Sequence, residues 1–252
     1  MIILKSAGDL EKMRRAGRIV ADTINTVIAR VTPGCTTEDL DRVAETYIRD
    51  QGAIPSFLGY HGFTKTICAS LNDEIVHGIP SKDRKIALGD LVSLDFGAIW
   101  EGFHADSAVT VFAGGAAPDQ DAERLVRTTE LALTQAIVTI QPGGRLSDIS
   151  HAVEQAAVAE GLGIVREYGG HGIGRSLHED PFIPNFGKPG RGPDLRPGLV
   201  IAVEPMLNLG SDGTRTLADG WTVVTDDGSR SAHFEHTIAV TDDGHEVLTA
   251  RD

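Results

Sequence analysis

Two histidines stand close together in a glycine-rich stretch, GGHGIGRSLHEDP, which covers residues 169–181. His171 and His178 are seven positions apart, and four of the first six residues of the stretch are glycines. Imidazole is both a common metal ligand and a common proton-transfer group. Glycines beside it let the backbone pass close to a bound ion or substrate without obstruction by side chains. The stretch therefore predicts a site that His171 and His178 share with residues from elsewhere in the chain.

Four carboxylates are candidates for the rest of that site, because each lies in or beside a strand-like segment, where an unpaired carboxylate is disfavoured. They are Asp95 in LVSLDFGAIW, Asp106 in FHADSAVTVF, Glu204 at the end of the strand LVIAVEP, and Glu235 at the start of the strand FEHTIAV. Four carboxylates and the imidazole of His171 would balance two divalent cations, as in a two-metal hydrolase. Oxygen-rich ligation with one nitrogen suits Mn, Fe, Co or Zn.

The first two carboxylates are expected on the two strands of one hairpin. If the turn centres near residues 101–102, Asp95 lies opposite Ala108 and Asp106 is its diagonal neighbour on the same face. Diagonal neighbours lie about 7–8 Å apart, within joint reach of one small ion. A register slip of one residue would place the two aspartates on opposite faces. Taken singly, a strand aspartate is usually an edge or turn residue, so the prediction depends on the joint placement.

The chain contains an internal repeat. Residues 31–52, VTPGCTTEDLDRVAETYIRDQG, resemble residues 140–161, IQPGGRLSDISHAVEQAAVAEG, at a constant spacing of 109 positions. The same spacing carries Asp95 onto Glu204, one carboxylate onto another. A shared register of this kind favours an ancient duplication.

The predicted elements follow the same repeat. Apolar spacing predicts a helix over 6–31 capped by Ser6, and a second helix from the capping pair Thr36 and Asp39 to about residue 50. The second half repeats this with helices over about 119–140 and 147–160, and strands follow each helix pair. We therefore expect an α+β fold with two halves related by a pseudo-twofold axis, approximately 1–115 and 116–252, with antiparallel sheet inside and helices outside. No linker separates the halves, so 1–252 is expected to be one catalytic domain.

Composition excludes several functions. With 23 Lys and Arg against 36 Asp and Glu, the net charge is −13, so we expect no direct nucleic-acid binding. Cys35 and Cys68 form no CxxC pair, which gives no indication of a disulfide framework or structural zinc. No apolar run is long enough for a signal peptide or a membrane span, so we expect a cytoplasmic protein and no membrane contact.

Across nearly its whole length the sequence resembles methionine aminopeptidases of the bacterial type I class, which have the pita-bread fold. The resemblance rests on five blocks in family order: YHGFTKTICASLNDEIVHGIP, LDFGAIWEGFHADSAVTVF, VREYGGHGIGRSLHEDP, PGLVIAVEPM and DGWTVVTDDGSRSAHFEHTIAVT. Only 31 positions separate Glu204 from Glu235, which leaves no room for the helical insertion of type II members. The resemblance implies removal of N-terminal methionine by a hydroxide activated on two metal ions, with preference for small second residues.

The resemblance also implies a role for each candidate residue. The metal ligands would be Asp95, Asp106, His171, Glu204 and Glu235, with Asp106 and Glu235 bridging the ions. Glu204 would also shuttle the proton, His178 would hydrogen-bond the oxyanion or substrate carbonyl, and His77 would contact the peptide near the scissile bond. A methionine pocket would be built from Tyr60, His61, Phe63, Cys68, Leu177 and Trp221, with Phe57 nearby. For the apolar members, core packing is an equal alternative.

Phe57 and Leu177 depart from the best-known family members, where small residues and phenylalanine are common, so the pocket size is left open. The family further suggests a monovalent cation near Asn72 and Ser231, nascent peptide N-termini as partners near the ribosome, and a monomer. Two alternatives stay open. One is an Xaa-Pro-type peptidase of the same fold, such as prolidase, which would carry a large extra N-terminal domain. The other is a non-catalytic binding relative, which would be expected to lack metal ligands.

Overall fold

The computed structural model describes residues 1–251. The helices are α1 (Ala7–Ile28), α2 (Thr37–Asp50), α3 (Gln120–Val138) and α4 (Leu146–Ala159), with a short 3-10 turn at Tyr60–Gly62. The strands are β1 (Ile54–Pro55), β2 (Ile67–Leu71), β3 (Glu74–Val76), β4 (Leu91–Trp100), β5 (Phe103–Phe112), β6 (Gly163–Ile164), β7 (Gly169–Gly172), β8 (Glu179–Pro184), β9 (Val200–Val203), β10 (Met206–Asn208), β11 (Thr214–Thr216), β12 (Val223–Thr225), β13 (Ser231–His233), β14 (His236–Thr241) and β15 (Gly244–Val247).

The predicted helices all form, and their starts follow from capping. The hydroxyl of Ser6 accepts from the amide of Asp9, whose carboxylate accepts from the amide of Ser6 in return. Thr36 and Asp39 make the same reciprocal pair at the start of α2. Asp119 caps α3 by accepting from the amide of residue 122 at 2.8 Å. Each cap satisfies amides that the first helical turn leaves without partners.

The strands form antiparallel sheets, and the two largest sheets belong to different halves of the chain. In the first half, β4 pairs with β5 on one edge and with β1 and β2 on the other. In the second half, the order is β15-β14-β9-β7-β8. Helix α1 packs on β4 and β5, and α3 and α4 pack on strands of the second half. The α+β fold with helices outside and antiparallel sheet inside is therefore confirmed.

The repeat found in the sequence has a counterpart in the backbone. The amide of Gly34 donates to the carbonyl of Ile86 at 2.8 Å, and 109 positions later the amide of Gly143 donates to the carbonyl of Leu195 at 2.8 Å. Both glycines lie in the left-handed region, with φ of 96° and 84°. Only glycine adopts this region without strain, so the same turn follows the first helix of each half.

The strand boundaries differ from the prediction at two carboxylates. Strand β9 ends at Val203 and β14 begins at His236, so Glu204 and Glu235 lie just outside them. Pro205 has no amide hydrogen to continue a ladder. The amide of Glu235 donates across the halves to the carbonyl of Ala108 at 3.0 Å.

The largest hydrophobic cluster draws on both halves. It joins Ile24 of α1 and Phe96 of β4 to Leu133 of α3 and Ile201 of β9. Within residues 1–251, the structure shows no helix with the length and apolar character needed to span a bilayer.

Candidate active site

Strands β4 and β5 bring the first two carboxylates together with the expected register. Asp95 pairs with Ala108 and Gly97 pairs with Asp106 across the ladder, which places the aspartates as diagonal neighbours on one face. A side chain at position 97, on the same face, is excluded, because a Cβ there would lie 2.6 Å from the Cβ of Ser56. This ladder fixes the first-half side of the site.

The second half brings its residues from three neighbouring segments. His171 lies on β7, paired with Ala202 of β9, and Glu204 follows the end of β9. A Cβ at Gly170 would lie 2.3 Å from the carbonyl oxygen of Ala202. Glycine beside His171 is therefore needed for β7 to approach β9.

Glu235 is held by bonds to the first half. The hydroxyl of Ser107 donates to the carbonyl of Glu235 at 2.6 Å. The hydroxyl of Thr237 accepts from the amide of Asp106 at 2.9 Å and donates to the carbonyl of the same residue at 2.8 Å. Asp106 and Glu235 are thus fixed relative to each other through the backbone.

The candidate ligands converge on one place. Ligand atoms of Asp106, His171 and Glu235 all lie within 4.8 Å of one another. Glu204 Oε1 lies 3.6 Å from His171 Nε2. Asp95 lines the same cavity as these four residues.

Burial strongly perturbs the protonation of the carboxylates. Desolvation raises the pKa of Asp95 to about 7, partly offset by its interaction with Asp106. Desolvation, reinforced by neighbouring carboxylates, raises the pKa values of Asp106, Glu204 and Glu235 well above their ordinary range. These groups would all ionise together only if a cation replaced their protons.

The histidines around the cluster are shifted in the opposite direction. Desolvation, with a smaller contribution from His178, lowers the pKa of His171 to about 3 and that of His77 to about 4. His171 is therefore a neutral imidazole with a lone pair available for a metal. Its Nδ1 lies 2.9 Å from the carbonyl oxygen of Gly172, which leaves Nε2 facing Glu204.

Several polar atoms in the cluster lack partners. Asp95 Oδ1, Asp106 Oδ1 and Glu235 Oε1 are buried and have no hydrogen-bond partner among residues 1–251. Unsatisfied buried carboxylate oxygens are costly and call for an explanation. Oxygen atoms of this kind, together with a neutral imidazole, are a donor set that suits divalent cations. The residues present therefore fit a metal site.

A cavity of about 390 Å³ opens beside this cluster. Its walls include most of the residues expected in the methionine pocket: Phe57, Tyr60, Phe63, Cys68, Leu177 and Trp221. These six side chains also belong to one hydrophobic cluster. His61 is the exception. It does not line the cavity, and its ring lies edge-on to Tyr60 with centroids 4.4 Å apart.

The two further histidines of the prediction also face the cavity. Nδ1 of His178 lies 2.7 Å from the hydroxyl oxygen of Tyr60, and its ring centroid is 4.2 Å from that of His171. His77 follows β3 with φ of 62°, a region that residues with side chains rarely adopt. Backbone strain of this kind often accompanies functional positions.

Sequence reasoning missed several residues of the cavity wall, among them His233 and Tyr168. His233 is buried, and its Nε2 lies 3.7 Å from Glu204 Oε2 without a hydrogen-bond partner in the part of the chain described. Tyr168 lies edge-on to His77 with centroids 5.7 Å apart. His233 stands two positions before Glu235, and if both lay in the strand that the sequence predicted, this spacing would place them on one face. That spacing in the sequence could have indicated His233 as a residue of the site.

The region around the expected monovalent cation is already hydrogen-bonded. Asn72 Oδ1 accepts from the amide of Leu91 at 3.1 Å, and Asn72 Nδ2 donates to Asp90 at 3.0 Å. The amide of Ser231 donates to the carbonyl of Asn72 at 2.8 Å. A monovalent ion there remains a prediction.

The buried carboxylates, the neutral imidazole and the adjoining cavity together define the site of a metal-dependent hydrolase on a pseudo-twofold α+β fold. Comparison with known families agrees, since the model for metallopeptidase family M24 matches residues 11–242. The chain belongs to this family.

Relatives cover the chain almost from end to end. Methionine aminopeptidase 1 of Bacillus subtilis is 50% identical over 99% of both chains. Methionine aminopeptidase 1 of Mycobacterium tuberculosis is 52% identical over 97% of this chain and 94% of its own. The crystal structure of methionine aminopeptidase from Thermotoga maritima matches with a TM-score of 0.97 at 43% identity, covering both chains fully. Prolidase from Pyrococcus furiosus, with a TM-score of 0.79 at 22% identity over 99% of this chain and 66% of its own, shares the pita-bread fold.

Proposed function

We propose that this protein is a methionyl aminopeptidase that hydrolyses the first peptide bond of chains beginning with methionine. The observation that carries the proposal is the convergence of carboxylates and a neutral imidazole from both halves beside an apolar cavity. Relatives named methionine aminopeptidase at about half identity over the full length support the same reaction.

We propose that two divalent ions bind here, held by Asp95, Asp106, His171, Glu204 and Glu235. Asp106 and Glu235 are the best candidates for shared ligands, because both lie within 4.8 Å of His171 and their backbones are tied together through Ser107 and Thr237. When bound, such ions would lower the pKa of water to give hydroxide near neutral pH and would polarise the scissile carbonyl. Co, Mn, Fe and Zn are all compatible with the donors.

The chain's own residues would provide the proton transfers and the orientation. Glu204 is the proposed proton shuttle, because its carboxylate lies beside His171 and lines the cavity where the attacking water and the leaving amine would meet. His178 is proposed to donate a hydrogen bond to the substrate carbonyl as negative charge develops on its oxygen. His77, which lines the cavity beside Trp221, is proposed to contact the peptide group of the substrate.

The cavity supports methionine as the first residue. Phe63 and Trp221 meet edge-on at 5.0 Å between ring centroids, and Leu177 is buried against the same cluster. A flexible, polarisable thioether packs favourably against aromatic edges. Cys68, opposite Asp95 on the β2–β4 ladder, brings this wall next to the metal ligands. Preference for a small second residue remains part of the proposal.

We also propose that residues 1–252 act as one catalytic domain, because neither half alone contains the complete donor set. The expected partners are nascent peptide N-termini in the cytoplasm near the ribosome. We expect the protein to act on them as a monomer. The net charge of −13 disfavours direct contact with nucleic acid.

The Xaa-Pro peptidase remains the alternative within the fold, since prolidase shares it at 22% identity. Rates on Met-Ala-Ser and Ala-Pro peptides separate the two readings. We expect Met-Ala-Ser to be cleaved much faster. Faster cleavage of Ala-Pro would assign the chain to the alternative, and failure to cleave either peptide with Mn²⁺ or Co²⁺ present would favour a binding role.

The central experiment is a metal titration of Met-Ala-Ser hydrolysis by the wild type and Glu204→Gln, with metal content measured alongside. We expect activity to rise with bound metal and the variant to lose about 100-fold or more in kcat, as general acid–base groups contribute 10²–10⁴-fold. Glu160→Gln on the exposed end of α4 is the matched control and should keep full activity. Near-normal turnover by Glu204→Gln with metal bound would show that Glu204 is not the proton shuttle.

A further inference from the structure

The phenol of Tyr60 makes a specific polar contact inside a largely apolar wall. Its oxygen lies 2.7 Å from Nδ1 of His178, although the two residues are 118 positions apart in the chain. Their rings are tilted by 37° with centroids 5.4 Å apart. A residue needed only to pack against methionine would not require this contact.

The loop that carries Tyr60 is held by its own backbone. The amide of Gly59 donates to the carbonyl of Phe63 at 2.8 Å, and the amides of Tyr60 and Phe63 close two further short turns. Gly59, with φ of 87°, adopts the left-handed conformation that this turn requires. The phenol is therefore presented to His178 from a fixed position.

The direction of the Tyr60–His178 hydrogen bond depends on which ring nitrogen of His178 carries the proton. A tyrosine hydroxyl has an ordinary pKa of about 10, so it keeps its proton at neutral pH. A phenol is a strong donor and an imidazole nitrogen with a lone pair is a strong acceptor. When Tyr60 donates to Nδ1, the single proton of a neutral His178 ring must lie on Nε2.

We propose that Tyr60 is a positioning residue that holds His178 in the Nε2–H tautomer and fixes the plane of its ring. The inference rests on the proposed function, in which His178 donates to the developing oxyanion. With Nδ1 engaged by Tyr60, only Nε2 remains for the substrate. The opposite tautomer would present a lone pair to that negative charge and would repel it.

Tyr60 and His171 restrict the His178 ring from two sides. His171 packs against it with centroids 4.2 Å apart and planes at 52°. Van der Waals contact of this kind limits displacement but does not choose which nitrogen carries the proton. The hydroxyl of Tyr60 supplies that choice.

The first test reads the tautomer directly. Long-range ¹H–¹⁵N correlation spectra of the Zn²⁺-loaded protein report which ring nitrogen of His178 is protonated, with His178→Asn used for assignment. We expect a protonated Nε2 and an unprotonated Nδ1 in the wild type. In Tyr60→Phe the two nitrogen shifts should move towards each other as both tautomers become populated. A wild-type ring protonated on Nδ1 alone, or spectra unchanged by Tyr60→Phe, would overturn the proposal.

The second test is kinetic. Tyr60→Phe should lower kcat on Met-Ala-Ser roughly five- to tenfold, the effect of one hydrogen bond, with KM changed less than twofold. Tyr47→Phe removes a hydroxyl from the outer helix α2 and should leave both constants unchanged. A Tyr60→Phe variant that raises KM while kcat is kept would make Tyr60 a pocket residue only.

Coupling between the two residues separates positioning from independent effects. If Tyr60 acts through His178, Tyr60→Phe should cause no further loss in the His178→Asn background. An equal loss in both backgrounds would refute the coupling. The two proposals fail differently. A protein that does not cleave Met-Ala-Ser at all contradicts the proposed function, whereas the spectra still test the tautomer.

Discussion

Replacing Asp95 by asparagine should change how the stability of the metal-free protein depends on pH. In the folded state burial raises the pKa of Asp95 to about 7. In the unfolded chain an aspartate has its ordinary pKa of about 3.9. The folded state therefore binds a proton that the unfolded state has already lost, and the stability associated with that proton disappears as pH rises through 7.

The size of the effect follows from the two pKa values. Between pH 5 and pH 8, the wild type should lose about 2–3 kcal/mol of unfolding free energy relative to Asp95→Asn. For a domain of this size that corresponds to a relative shift in Tm of about 5–10 °C. Neighbouring histidines, whose pKa values are lowered, titrate in both proteins. Their contributions to the pH dependence of stability therefore largely cancel in the comparison.

The assay is calorimetric unfolding of both proteins after chelation, at pH 5 and pH 8. Addition of Mn²⁺ at pH 8 is the control and should stabilise the wild type more than the variant, because the bound ion neutralises the carboxylate. A difference between the two proteins that does not change with pH, or that favours the wild type as pH rises, would refute the account of a desolvated carboxyl at position 95.

Two further substitutions test how the site is supported. Lys5→Met should lower the free energy of unfolding by about 3–5 kcal/mol in chemical denaturation, because the Lys5–Glu179 pair at 2.6 Å has side chains only 3% and 8% exposed. Adding Glu179→Gln should recover part of this loss, because it removes the unpaired buried charge. If stability did not recover, an unpaired charge at Glu179 would not be the cause of the loss. Thr237→Val should cost about 1–3 kcal/mol and weaken metal binding measured by titration calorimetry, because both backbone groups of Asp106 lose a partner. Thr129→Val, which removes a bond to a helix carbonyl that keeps its helical partner, is the control and should cost less.

The sequence was sufficient for features set by local patterns. The turn between β4 and β5 and the alternation of apolar residues determined the register, so the diagonal placement of Asp95 and Asp106 was predicted and is confirmed. The capping pairs likewise located the starts of α1 and α2. The helix ends and several strand ends differ by a few residues, since fraying and packing decide them.

Contacts between the two halves could not be predicted from local sequence patterns. Glu235 was expected to open a strand, but its amide bonds to Ala108 in the other half, a pairing that no periodicity indicates. The hydroxyl of Thr237 that bridges Asp106 is a long-range contact of the same kind. The resemblance to a family could place Tyr60 near the substrate, but it gave no information on its bond to His178.

The backbone repeat has a consequence for how this chemistry arose. A protein made of one half would have needed two identical copies to complete a cage for ions, and every group it offered would have appeared twice. Joining the copies in one polypeptide removed that constraint. Position 95 is an aspartate, whereas its counterpart 109 places later is Glu204, one methylene longer. The proposed proton transfer could then fall to Glu204 alone, while Asp95 served only as a ligand.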